Sequence, residues 1–139
     1  MKQISLLVVA HLSRAACSNE ADVRDSTCPS LLPGWKALGS DIVHSIQWNK
    51  VEIAQSGITW NGVPVDESEL EKYLHITRDL NPTPLVIFDP TGASSCQIAS
   101  KIRDTVDNAA DCNSKSACFQ GNSRIFDEVN KVYSDEPAN

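Results

Sequence analysis

The run Leu85-Val86-Ile87-Phe88 constrains this chain more than any other stretch. It lies between Asn-Pro-Thr-Pro and Asp-Pro-Thr-Gly, and an apolar run bounded by such breaks reads as a buried central strand. Whatever surrounds it must therefore build a sheet on both of its sides.

The flanking residues supply the elements. Val51 and Ile53, then Ile58 and Trp60, alternate on either side of Gln-Ser-Gly, the pattern of two half-buried strands joined as a hairpin. Asp66 with Glu69 three residues on opens a helix in the manner of a capping box, and Leu70, Tyr73, Leu74 and Thr77 fall on one helical face until Asn-Pro-Thr-Pro stops it. After the central strand, Ser94 or Ser95 caps a second helix on which Ile98, Ile102 and Val106 recur. The order from Lys50 to Asp107 is strand, strand, helix, strand, helix. It predicts an α+β fold, a two-layer sandwich with a small mixed sheet of about three to five strands and two or three helices packed on one face.

This series carries a family resemblance. A hairpin whose second strand ends in Asn61-Gly62, the tail Val63 and Val65, an acidic helix start, the helix segment ELEKYL, and then LVIFD before another helix resemble the periplasmic domain of the ExbD/TolR family of biopolymer transport proteins. The resemblance covers Lys50 to about Ala110, and its weight lies in the order and spacing of the pieces. It implies an exported α+β binding module that dimerises and contacts an envelope protein or peptidoglycan. Members that work with proton-driven motors also carry a transmembrane helix with an Asp. This chain has no apolar run of the roughly twenty residues that spanning requires, so the motor role does not carry over and no individual binding residue is transferred.

Charge excludes one class of partner. With 12 basic and 18 acidic residues the net charge is −6, which offers no basic face to nucleic acid and disfavours an anionic membrane surface. The chain length suits a single domain with a single core.

The first seventeen residues read as a targeting segment: Lys2 gives the positive start, Ile4 to Ala10 the apolar run, and Ser-Arg-Ala-Ala-Cys the small residues of a cleavage site. Cys17 stands where the acylated cysteine of a lipoprotein stands. Arg14 occupies the position three before it, where such signals carry Leu, and the alternative cut after Ala15 leaves Cys17 a free thiol. Membrane contact is thus expected only through an N-terminal lipid. Residues 18–41 read as a tether followed by a strap, with Leu31, Leu32 and Trp35 apolar enough to pack over one end of the core or, in the alternative, to hook a partner. The domain proper is expected over residues 42–139, its first strand lengthened by Ile42, His44, Ile46 and Trp48.

Five cysteines point to an oxidising compartment. With Cys17 set aside, Cys28, Cys96, Cys112 and Cys118 allow three pairings. Cys112 with Cys118 across a polar loop is favoured, leaving Cys28 to tie the N-terminal segment to Cys96 at the start of the second helix. A zinc site on Cys112 and Cys118 competes with this, but their spacing is wider than in zinc knuckles and neither His44 nor His75 is paired. No metal and no cofactor is expected.

Three features invite an enzymatic reading, and none pairs a catalytic group with its partner. Asp89-Pro-Thr-Gly follows a strand and precedes a helix, as phosphate-binding loops do, but it has one glycine and no following lysine. Asp89 reads instead as a turn cap. Ser95-Cys96 lacks a recognisable base, and Asp66, Glu67, Glu69 and Glu71 suit the first turn of a helix. The expected function is non-catalytic binding. The alternatives are a small secreted hydrolase using Asp89, with His44 as its acid-base partner, and a free secreted binding or inhibitor domain.

Past Ala110 the sequence leaves the family pattern. A short strand is expected within Ala117 to Gln120, then a helix from a Ser123 cap to Tyr133, with Phe126 and Val129 covering an open face or edge of the sheet.

Overall fold

A computed structural model describes residues 28–39 and 47–134, with side chains through residue 128. The expectations for the leader, for Cys17, for His44 and the strand extension before Trp48, and for the side chain of Val129 lie outside the described residues.

The described residues form one six-stranded mixed sheet with three helices, the α+β fold expected. The strands are β1 (Lys36–Ala37), β2 (Trp48–Ala54), β3 (Gly57–Trp60), β4 (Val63–Val65), β5 (Leu85–Asp89) and β6 (Cys118–Gln120), in the order β1-β6-β5-β2-β3-β4. β1, β6, β5 and β2 are parallel, and β2-β3-β4 is an antiparallel meander. The helices are α1 (Glu67–Arg78), α2 (Cys96–Ala110) and α3 (Ser123–Ser134).

Two details depart from expectation. The sheet is wider than five strands because Val63–Val65 pairs as β4 and the strap supplies β1. Asn61-Gly62 explains β4: Asn61 at φ 51° and Gly62 at φ 84° give the two-residue turn whose twist suits a hairpin. The third helix packs on the face opposite α1 and α2. Side chains alternate along β5, so Val86 and Phe88 join Val51, Ile53, Leu70, Leu74, Ile102 and Val106 on the α1/α2 face. Leu85 and Ile87 meet Phe126 of α3 on the other. Burial on both faces is why LVIF is apolar throughout.

The helix ends are set by local chemistry. Asp66 caps α1 in a reciprocal box: its carboxyl accepts the Glu69 N–H at 2.8 Å and Glu69 Oε2 accepts the Asp66 N–H at 3.0 Å. α1 stops at Arg78, ahead of Asn81-Pro82. Ser95 caps α2, its Oγ accepting the Ile98 N–H at 3.2 Å. Leu70, Leu74 and Thr77 bury the inner face of α1, whereas Tyr73 stays half-exposed and stacks on Trp60 at 5.8 Å. On α2 the inner face is Ala99, Ile102, Arg103 and Val106, while Ile98 points outward. Ser123 is a correction: it is the first residue of α3 rather than its cap, and the Asn122 side chain accepts the Arg124 N–H at 3.0 Å.

The bridges join Cys28 to Cys96 and Cys112 to Cys118, with Cα separations of 5.7 and 5.4 Å. The first fastens the strap to the N-terminus of α2, and further bonds hold the strap along its length. Gln120 donates to the Pro29 carbonyl, Arg103 to the Ser30 carbonyl, and Trp35 Nε1 to Asp107 Oδ1 at 2.7 Å. Leu32 and Trp35 pack on the core and Leu31 is exposed. The second bridge closes the turn between α2 and β6, where Asp111 takes φ 55°.

Candidate functional site

The carboxyl ends of parallel strands are where open α/β sheets hold ligands, and here the ends of β2 and β5 gather a cluster of polar side chains. Glu52 and Asp89 are register partners on the face that carries α3. A depression of about 460 Å³ opens there, lined by Glu52, Thr59, Asp89, Thr91, Ser123 and Arg124 among others.

Asp89 is committed to the backbone. Only 5% exposed, its Oδ1 accepts from Thr91 N–H at 2.9 Å and Thr91 Oγ1 at 2.6 Å, and its Oδ2 accepts the Ser123 N–H at 2.7 Å. One carboxyl thus fixes the turn after β5 and satisfies an N-terminal donor of α3. The glycine of Asp89-Pro-Thr-Gly has a packing role as well. A Cβ on Gly92 would run into the Ile53 carbonyl oxygen, so its bare backbone lets the loop lie across the end of β2.

The remaining polar groups are tied to one another. Ser123 Oγ donates to Glu52 Oε1 at 3.0 Å, and Lys50 Nζ contacts both Glu52 Oε1 at 3.3 Å and Asp127 Oδ2 at 3.1 Å. Burial pulls the Lys50 pKa down, but the hydrogen bond to Asp127 and the charges of Glu52 and Asp127 outweigh it and leave the ammonium above its ordinary 10.5. An ammonium held charged cannot serve Ser123 as a base. Thr59 Oγ1 is buried here without a partner among the described residues.

Other candidates disperse. Cys96 and the other three bridged cysteines offer no thiol, and Asp66 and Glu69 are occupied in the α1 cap. His75 lies with Glu71, Lys101, Asp104 and Asn108 along a shallow groove between α1 and α2, remote from the Asp89 cluster. No group of three or more His, Cys, Asp or Glu among the described residues is arranged to hold a metal ion. No helix among them is long and apolar enough to cross a membrane.

Exposed apolar side chains gather elsewhere. Tyr73, Ile76 and Leu80 form a stripe along the outer side of α1 and just past its end, and the Tyr73–Trp60 stack carries it to Val63, the register partner of Trp60, which is 62% exposed. Comparison of the chain with family models, curated proteins and solved structures returns no match.

Two features of these sites escaped the sequence. The Lys50–Glu52–Ser123–Asp127 network joins residues about seventy positions apart, and only the alternation of Lys50 and Glu52 on one strand face signals it. The α1 stripe was legible as spacing, since Tyr73, Ile76 and Leu80 stand three and seven apart, but it was masked by the inner face beside it.

Proposed function

We propose that this chain is an exported binding module of the cell envelope, non-catalytic, and similar in plan to the periplasmic domain of ExbD/TolR proteins. The observation that carries the reading is the pair of disulfides: both bridges are built into the fold, one holding the strap and one closing the α2–β6 turn, and such bridges persist in oxidising compartments. The element order β2-β3-β4-α1-β5-α2 follows the series on which the resemblance rests. The polar cluster supports the non-catalytic half of the reading, because Asp89, the acid a hydrolase would need, has both oxygens engaged by its own backbone and by Thr91.

The partner is an envelope protein or peptidoglycan, as the resemblance implies, or a second copy of the chain. The stripe through Tyr73, Ile76 and Leu80 is the contact surface for a protein, being apolar and exposed. Membrane contact runs only through a lipid on Cys17.

Expression of the full chain in a diderm bacterium, followed by fractionation and intact-mass measurement, tests this. The expected product sits in the envelope fraction, begins at Cys17 with acyl chains attached, and carries its other four cysteines oxidised. A full-length chain with free thiols in the cytosol would overturn export; an envelope product cut after Ala15 would overturn only the lipid.

A further inference from the structure

Among the described residues the sheet ends at β4, and the phase of its hydrogen-bond ladder decides which backbone groups face outward. Asn61 donates its N–H to the Lys50 carbonyl at 2.8 Å, so Asn61, and by alternation Thr59 and Gly57, turn their backbone groups toward β2. Ile58 and Trp60 therefore turn theirs toward β4, where their register partners Val65 and Val63 turn back to meet them. Pro64, opposite Thr59, is left facing away from the sheet. An added strand would require its N–H, and proline has none.

The next outward-facing residue is Asp66, and both its backbone groups are spent. Its N–H goes to Glu69 Oε2 at 3.0 Å and its carbonyl accepts the Leu70 N–H at 2.9 Å. From Val63 to Asp66 the edge thus offers the Pro64 carbonyl and no donor, although its side chains Val63 and Val65 have the β-branched character that invites pairing.

We infer that Pro64 and the α1 capping box close the β4 edge to strand addition, so that neither a second copy of this chain nor an extended peptide joins the sheet there. The proline that β4 tolerates as an edge strand also keeps a further strand from pairing there. This goes beyond the binding role above and stands or falls independently of it: a partner docks on side chains at the α1 stripe, or copies pair face to face, without the sheet being extended through β4.

The test restores the donors. Pro64 is exposed, so Pro64→Val removes no core contact, and Pro64→Val with Glu69→Ala also frees the Asp66 N–H; Pro64→Thr is a second single variant. Sedimentation equilibrium of the full chain is expected to show self-association about tenfold tighter in Pro64→Val than in the unaltered protein, and tighter again in the double variant. Amide exchange at residues 64 and 66 should slow as concentration rises. Variants that keep the native circular dichroism and both disulfides but associate no more tightly than the unaltered chain would overturn the inference, as would concentration-dependent protection of the β4 edge in the unaltered chain.

Discussion

Asp89 Oδ2 accepts the backbone N–H of Ser123 at 2.7 Å, joining the end of the central strand to the start of α3 across 34 residues of sequence. The same carboxyl holds Thr91 through Oδ1, so one side chain sets both the exit of β5 and the position of the helix on the far face. Asp89→Ala should leave the Ser123 and Thr91 donors unsatisfied in a buried place and cost about 2–4 kcal/mol, with Asp89→Asn costing less because its remaining carbonyl oxygen can keep one of the bonds. Urea unfolding followed by circular dichroism measures both, and equal stability of Asp89→Ala and the unaltered chain would refute the capping role.

Gly92 meets the end of β2 backbone to backbone. Because a Cβ there would collide with the Ile53 carbonyl oxygen, and a backbone atom cannot swing aside as a side-chain tip can, Gly92→Ala is expected to cost about 2 kcal/mol or more. Thermal unfolding should show a clear drop in midpoint. Gly39→Ala, where nothing among the described residues lies within 4 Å of an added Cβ, should leave it nearly unchanged.

The elements with strong local signals were legible before any coordinates. The capping box at Asp66 and Glu69, the proline stop after α1, the serine cap of α2 (Ser94 or Ser95 in the sequence, Ser95 in the fold) and the apolar LVIF run each fix their conformation through neighbours a few residues away. β4 was the near miss. Val63 and Val65 read only as an apolar tail, whereas the Asn61-Gly62 turn pairs them as an edge strand, a place that tolerates Pro64 between them. The side on which α3 packs could not be read, since Phe126 at helical spacing shows that a helix buries one face and not which face of the sheet receives it. The Lys50–Glu52–Ser123 contacts likewise require the tertiary fold to bring α3 over β2.

Trp35 anchors the strap by shape and by one polar bond. Its ring meets Phe88 edge-on at 6.1 Å and its Nε1 donates to Asp107 at 2.7 Å. Trp35→Phe should cost about 1–2 kcal/mol, the bond and some packing, and Trp35→Ala about 3–5. A double-mutant cycle with Asp107→Ala, which removes the acceptor, separates the two contributions, since a coupling energy near zero would show that the Trp35–Asp107 bond contributes nothing.

Lys50 links β2 to α3 through Asp127 at 3.1 Å. Its pKa lies above the ordinary 10.5 because Asp127 and Glu52 outweigh the cost of its burial. A lysine whose folded pKa is raised contributes stability that is complete below its unfolded pKa and is lost as pH rises through the folded value. The Lys50 contribution should therefore be constant from neutral pH to about 10 and decline above that. Lys50→Met, which leaves Glu52 and Asp127 facing each other, should be less stable at neutral pH and should lose that alkaline decline. Urea midpoints of both proteins from pH 7 to 11 would show it, and parallel pH profiles for the two would remove Lys50 from the account.

The two bridges differ in the length of chain they close, 68 residues for Cys28–Cys96 and 6 for Cys112–Cys118. If restriction of the unfolded chain dominates, the long loop is worth about 4 kcal/mol and the short one about 2. Replacing each pair by alanines, which add no polar group to the buried positions of Cys112 and Cys118, should therefore lower stability more for the first pair than for the second. The location of the damage should differ as well. Without Cys28–Cys96 the strap still has Trp35, Arg103 and Gln120 to hold it, so amide exchange should quicken first at residues 28–31. Without Cys112–Cys118 the turn that feeds β6 is released, and exchange should quicken at residues 118–120, in the strand that carries β1 on its other side. A reversed order of stabilities would mean that native-state contacts near the short bridge, and not chain entropy, set what these disulfides contribute.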